Sequence, residues 1–171
     1  MYAVCSSRTL RHIRLLILDV DGVMTDGRLF YGNEGRIYRA FDVHDGMGIV
    51  RARQAGIKVA MLSGKRSEAI VQRAEDLGIE DCLQGISDKG AAYTTLLTKY
   101  GLRDDQVAYI GDDVNDLLAM ERAGFKVAVR NAREEVKEVA DYVTDAEGGR
   151  GAVREVVDLV LDAQQQSVKG Q

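Results

Sequence analysis

Proline and tryptophan are both missing from this 171-residue chain, and cysteine occurs only twice. Cys5 and Cys82 are too few and too unpatterned for a disulfide framework or a zinc site, so a reducing, cytoplasmic compartment is expected. Without tryptophan, and with seven scattered tyrosines, no platform for stacking bases stands out. The missing proline, against a usual share of about 5%, excludes no function. No apolar run approaches the ~20 residues of a membrane span. The opening stretch, with Arg8, Arg11 and Arg14, has no apolar segment long enough for a signal peptide. Basic blocks are lacking too: 23 Lys and Arg stand against 27 Asp and Glu, a net charge of −4. Neither nucleic acid nor a membrane is an expected partner.

What remains is an ordinary globular composition, long enough to bury roughly 70% of the surface of the unfolded chain. With no linker, repeat or low-complexity tract, a single domain over 1–171 is expected. Strand-like apolar runs at 13–18, 57–62, 79–83, 107–110, 125–129 and 142–143 alternate with helix-like segments at 46–55, 67–77, 91–100, 116–123, 134–140 and 151–164. Gly56, Gly78, Gly101 and Gly124 stop the helices. This rhythm predicts an α/β fold, a doubly wound parallel sheet with helices on both faces. One stretch interrupts it. Arg28-Leu29-Phe30-Tyr31 and Arg36-Ile37-Tyr38-Arg39 flank Gly32-Asn33-Glu34-Gly35, which predicts a β-hairpin over 28–39. Its place in the chain suits a flap over a site, a surface hairpin or an edge used in assembly.

The most informative segment is Leu15-Leu16-Ile17-Leu18-Asp19-Val20-Asp21-Gly22. Four aliphatic residues suit a strand covered on both faces. A bare carboxylate at its end is costly to desolvate unless a metal, partner or ligand meets it. In open α/β sheets the carboxyl ends of the strands are where ligands bind. An Asp-Gly turn, with Asp19 bonded to backbone amides, explains this segment alone equally well.

Three further groups fall at strand ends or a helix start. Ser63 ends the second strand in Met61-Leu62-Ser63-Gly64. Lys89, in Ser87-Asp88-Lys89-Gly90, puts a cation at a helix start, against the dipole there. Asp112, Asp113 and Asp116 follow the strand Tyr109-Ile110-Gly111. Singly, these read as an N-cap, a solvated lysine and a capping cluster. Together they supply a nucleophile, a cation for phosphoryl charge and hard oxygen ligands for Mg²⁺, the parts of a phosphoryl-transfer site.

Asp19-Val20-Asp21-Gly22-Val23, Ser63, Lys89 and Gly111-Asp112-Asp113 resemble, in order, the four motifs of the haloacid dehalogenase superfamily. Steps of 44, 26 and 23 residues between them suit a member without a large cap. The hairpin with Tyr31-Gly32-Asn33, the segment Phe41-Asp42-Val43-His44-Asp45-Gly46, and Gly148-Gly149-Arg150-Gly151-Ala152-Val153-Arg154-Glu155-Val156 extend the resemblance over nearly the whole chain. They point to the capless subgroup that hydrolyses 3-deoxy-D-manno-octulosonate 8-phosphate in lipopolysaccharide precursor synthesis.

The resemblance implies that Asp19 becomes an aspartyl-phosphate. Asp21 would act first as acid to the leaving alkoxide, then as base to water. Ser63 would donate to a phosphoryl oxygen and Lys89 would balance charge. Mg²⁺ would be held by Asp19, the Asp21 carbonyl and Asp112, with Asp113 and Asp116 orienting Lys89 and metal waters, and Asp113 as the alternative ligand. Asp21, Asp42, His44, Asp45, Gly46, Lys65, Arg66, Arg73 and Lys89 would contact the sugar-acid phosphate. The resemblance also implies a homotetramer built on 28–39, with 148–151 and the tail over 150–171 helping to close a site. Read without it, those glycines form a flexible connection into the last helix.

Three positions in two segments depart from the subgroup. Asp42-Val43-His44 stands where Asn-Val-Arg commonly precedes Asp45-Gly46, and Lys65 replaces the arginine usual after Ser63-Gly64. Lysine lacks the planar fork that arginine presents to a carboxylate. A sialic-acid-type nonulosonate 9-phosphate is therefore the alternative substrate. A phospho-receiver domain also phosphorylates an aspartate beside Mg²⁺, but it opens on its metal pair and carries the phosphorylated residue mid-chain. A calcium-binding loop fails because Phe30 occupies the twelfth position from Asp19, where Glu is required. No glycine sits five residues before Gly64-Lys65, so there is no P-loop.

Overall fold

The computed structural model describes residues 7–169; Cys5 and the end of the expected tail, Gly170 and Gln171, lie outside them. A short helix α1 (Ser7–Leu10) leads into β1 (Leu15–Asp19), whose five residues are all buried. Aliphatic side chains on both faces make this strand an interior one. A tight irregular turn over Val20–Met24 follows, then the hairpin strands β2 (Phe30–Tyr31) and β3 (Ile37–Tyr38). From there strands and helices alternate: α2 (Val43–Gln54), β4 (Lys58–Ser63), α3 (Glu68–Asp76), β5 (Asp81–Gln84), α4 (Lys89–Tyr100), β6 (Val107–Gly111) and α5 (Leu117–Met120). The chain closes through β7 (Phe125–Ala128), α6 (Glu134–Val139), β8 (Tyr142–Val143) and α7 (Ala152–Lys169).

Six strands run parallel in the order β5-β4-β1-β6-β7-β8. This is the doubly wound sheet that the rhythm predicts. From β1 the chain steps outward to β4 and β5, crosses back to β6, and steps outward again. The reversal falls between β1 and β6, where such sheets leave a crevice at the carboxyl ends of their strands. Right-handed crossovers place α2 and α3 on one face and α4, α5 and α6 on the other; α7 lies along α2, and α5 against α4. Leu18 is level with both Met61 and Ile110. The chain therefore leaves the sheet at Asp19, Ser63 and Asp112 within one residue of a common level.

Several boundaries move, each for a local reason. α2 begins three residues before the predicted 46 because Asp42 caps it, its Oδ1 accepting from His44 N at 2.6 Å and Asp45 N at 3.1 Å. α4 begins at Lys89 because Asp88 accepts from Ala91 N at 2.9 Å. The helix predicted over 116–123 shrinks to one turn. There Gly124 closes onto a neighbouring loop, and a Cβ on it would fall 2.6 Å from Asp105 Cα. The hairpin pairs two residues per strand rather than four, because Asn33–Gly35 coil tightly with Glu34 at φ 63°. Among the described residues, no helix is long and apolar enough to cross a membrane.

Candidate active site

Asp19, the last residue of β1, is 5% exposed and meets a buried lysine. Lys89, the first residue of α4, donates from Nζ to Asp19 Oδ1 at 2.5 Å and to Asp116 Oδ1 at 2.6 Å. Two carboxylates thus outweigh the helix dipole that disfavours a cation at this position. Asp116 has no exposed surface. Its Oδ1 also accepts from the Tyr109 hydroxyl at 2.7 Å, and its Oδ2 from the amides of Asp112 at 3.0 Å and Asp113 at 3.3 Å. Gly111 makes this fit possible, because a Cβ there would fall 2.8 Å from Asp116 Cβ. Tyr109 was not legible as a site residue. Its one signal is a hydroxyl in an otherwise apolar strand.

Asp19, Asp112 and Asp116 each place a carboxylate oxygen within 4.8 Å of the others. Burial, reinforced by Asp116, holds the Asp19 carboxyl well above the usual range against the opposing pull of Lys89. Burial and then Asp116 raise Asp112 to about 6. Burial pulls Lys89 down, but Asp19 and Asp116 outweigh it, so the group stays a cation. Three carboxylates against one ammonium leave two negative charges unbalanced, the complement of a divalent cation. The donor set fits one: hard oxygens converge on the rim of the sheet. Asp19, which gives one oxygen to Lys89, and Asp112 are the better placed to hold it, since both oxygens of Asp116 already serve Lys89, Tyr109 and two amides. Asp113 stands outside this cluster; it is exposed and its Oδ1 accepts from Val114 N at 2.7 Å.

Asp21 is held from the hairpin. Arg39 donates from Nε to Asp21 Oδ1 at 2.6 Å and from Nη2 to Oδ2 at 3.2 Å, a two-pronged grip that only a planar guanidinium makes. The Arg39 side chain has no exposed surface, and its Nη1 is buried without a hydrogen-bond partner. Sequence reading missed Arg39, although its place just after β3 in the flap was a signal. Ser63 is 1% exposed at the end of β4. Its hydroxyl donates to Lys65 O at 3.0 Å and accepts from Lys65 N at 3.1 Å, which sets the turn around the rim.

Comparison with known proteins gives this geometry a family. A model of haloacid dehalogenase-like hydrolases matches residues 81–156. The 3-deoxy-D-manno-octulosonate 8-phosphate phosphatase of Salmonella typhi is 47% identical over 82% of this chain and 75% of its own length. The chain belongs to the haloacid dehalogenase-like hydrolases. The crystal structure of the Yersinia pestis phosphatase of the same name superimposes with a TM-score of 0.92 at 47% identity, covering 94% of this chain and 86% of that one. The Moraxella catarrhalis enzyme, solved with magnesium, phosphate and the sugar acid, superimposes at 0.91 with 41% identity, covering 96% and 97%.

Within this haloacid dehalogenase site, four residues expected to touch substrate are placed elsewhere. Asp42 spends its Oδ1 on capping α2. Asp45 is buried, and its carboxylate accepts from Arg154 N at 2.9 Å and Gly151 N at 3.3 Å. It anchors the start of α7 from α2. Arg73 donates to Asp42 O at 2.9 Å and lies 5.5 Å from the Phe41 ring centre. Gly46 makes room for that arginine, since a Cβ on it would fall 2.4 Å from Arg73 Nη2. Together these four interlock around the start of α2. His44, Lys65 and Arg66 do stand exposed. The glycine segment 148–151 also corrects an expectation: Gly148 and Gly149 press on the backbone that follows Asp21 and do not form a loose connection.

Proposed function

We propose that the protein is a Mg²⁺-dependent phosphatase that hydrolyses 3-deoxy-D-manno-octulosonate 8-phosphate to the free sugar acid and phosphate, as a single catalytic domain in the cytosol. The buried array of Asp19, Lys89, Asp116 and Asp112 at the switch point of the sheet carries this reading. The relatives named above supply the substrate class. Asp19 and Asp112 would hold Mg²⁺ together with the Asp21 carbonyl, and the ion would neutralise phosphoryl charge. A carboxylate oxygen of Asp19 attacks phosphorus and the ester P–O bond breaks, leaving an aspartyl-phosphate. Asp21 gives its proton to the departing sugar alkoxide. It then takes a proton from water, which attacks the same phosphorus and frees Asp19 and phosphate. Lys89 keeps Asp19 oriented, Ser63 offers a donor to a phosphoryl oxygen, and Arg39 fixes the position of the Asp21 side chain. His44, Lys65 and Arg66 are the exposed groups left to meet the sugar acid.

Phosphate release from a panel of sugar phosphates tests this. The eight-carbon sugar-acid phosphate should turn over fastest, ordinary hexose phosphates should be poor, and EDTA should silence all until Mg²⁺ is restored. Preference for a nonulosonate 9-phosphate would transfer the assignment to the sialic-acid-type alternative, and turnover in EDTA would remove the metal.

The same reading includes a homotetramer assembled through the hairpin. Phe30, Tyr31 and Tyr38 are 54, 72 and 54% exposed, with Val43 at 74% and Met47 at 54% on the adjoining helix. Phe30 and Tyr38 pair across the hairpin and Tyr31 lies on its other side, and apolar exposure of this extent supports self-association. The double substitution Tyr31→Asp, Tyr38→Asp should reduce the mass measured by light scattering to that of one chain. An unchanged mass would show that the hairpin is not the interface.

A further inference from the structure

Gly22, the residue after Asp21, lies between two close surfaces. On one side, a Cβ would fall 2.0 Å from Asp112 Oδ2. On the other stands Gly148, whose own Cβ would fall 1.7 Å from Gly22 O and 3.2 Å from Thr25 O. Gly149 follows at φ +67°, and a Cβ there would fall 2.4 Å from Thr25 C and 2.5 Å from Asp26 N. Both amides are used: Gly149 N donates to Val23 O at 2.8 Å, and Gly148 N to Asn131 Oδ1 at 2.9 Å. The turn over Val20–Met24 and the residues after it are thus packed closely by both Asp112 and 148–149.

The brace is itself fixed. Glu155 of α7 accepts from Asp145 N at 2.9 Å, Ala146 N at 3.0 Å and the Tyr142 hydroxyl at 2.7 Å. Asp45 holds the Gly151 and Arg154 amides on the far side of the glycines. The neighbouring loop is tied to the opposite wall of the site, with Arg133 N donating to Asp112 O at 2.8 Å two residues after Asn131.

We propose that Gly148 and Gly149 are positioning residues that set the depth of the Val20–Met24 turn against Asp112, and so the convergence of Asp19, the Asp21 carbonyl and Asp112 on the cation. This rests on the Mg²⁺ site proposed above. The residues supporting ligating groups typically change metal affinity by about 10–100-fold when altered. Gly148→Ala should therefore weaken Mg²⁺ binding, measured by calorimetry on the full-length protein, by about tenfold or more, and should speed amide hydrogen exchange over residues 20–25. Asn131→Ala adds no atom and frees the Gly148 amide; a several-fold loss of Mg²⁺ affinity is expected. Gly101→Ala is the control. It places a Cβ at φ +62° with nothing within 4 Å, so it should lower thermal stability but leave Mg²⁺ affinity and exchange at 20–25 unchanged.

Parental Mg²⁺ affinity in Gly148→Ala, or an equal loss in Gly101→Ala, overturns the proposal. If Gly148→Ala does not fold, Asn131→Ala decides alone, and parental affinity in that variant overturns it. Should the parent protein itself bind no Mg²⁺, the metal site is what fails. The exchange rates at 20–25 then still report whether the glycines hold the turn.

Discussion

Replacing Asp19 by asparagine is expected to lower phosphate release by about 10⁴-fold or more while the fold survives. The amide has the shape of the carboxylate and its oxygen still accepts from Lys89, but it cannot form the phosphoenzyme. Stability should move the other way. Burial and Asp116 hold the Asp19 carboxyl above its usual range, so its ionised form is strained at neutral pH in the metal-free protein. Removing that charge should raise the melting temperature in EDTA. Near-normal turnover in Asp19→Asn would eliminate Asp19 as the nucleophile.

Lys89→Met is expected to damage both fold and chemistry. Methionine keeps the length of the side chain and removes the cation that pairs with Asp19 and Asp116. Breaking a buried ion pair from one side costs about 3–5 kcal/mol, and Lys89 is 2% exposed. Urea unfolding at pH 7 should show a deficit of that order, and phosphate release should fall by about 10³-fold or more.

The deficit should shrink with acid. A carboxyl whose folded pKa lies above its unfolded value takes up its proton first in the folded state. Its penalty is therefore present above the folded pKa and relieved as pH falls towards the unfolded value. Asp19, already held above its usual range by burial and Asp116, loses in this variant the lysine that pulls it down, so it takes up its proton more readily and relieves the deficit as the pH falls. A Lys89→Met protein as stable as the parent at pH 7 would show that the lysine does not hold the carboxylates together.

The groups proposed for this chemistry were legible because most of them end a run the sheet must bury. Asp19 follows four aliphatic residues, Ser63 and Asp112 close strands of the same kind, and Lys89 opens a helix. Each such residue alone has an ordinary explanation, as a cap or a turn, but all of them on one rim of one sheet do not. Arg39 was not legible in this way. Its contact with Asp21 depends on a flap folding back across 18 residues, and an arginine beside a hairpin looks like any solvated one. The resemblance assigned Asp45 to the substrate, and local sequence offered no sign of the partners it has in the fold. Its actual partners are amides 106 and 109 residues further on. The pair Gly148-Gly149 suggested looseness for the same reason. Local sequence shows what a glycine permits and not the backbone it presses against.

That long reach has a consequence for the order in which the enzyme comes into being. Asp19 and Asp21 belong to the first strand and its turn, whereas the glycines packed on that turn, and the α7 amides that Asp45 grips, follow more than 100 residues later. A nascent chain that has exposed its nucleophile motif still lacks the segments that pack against it.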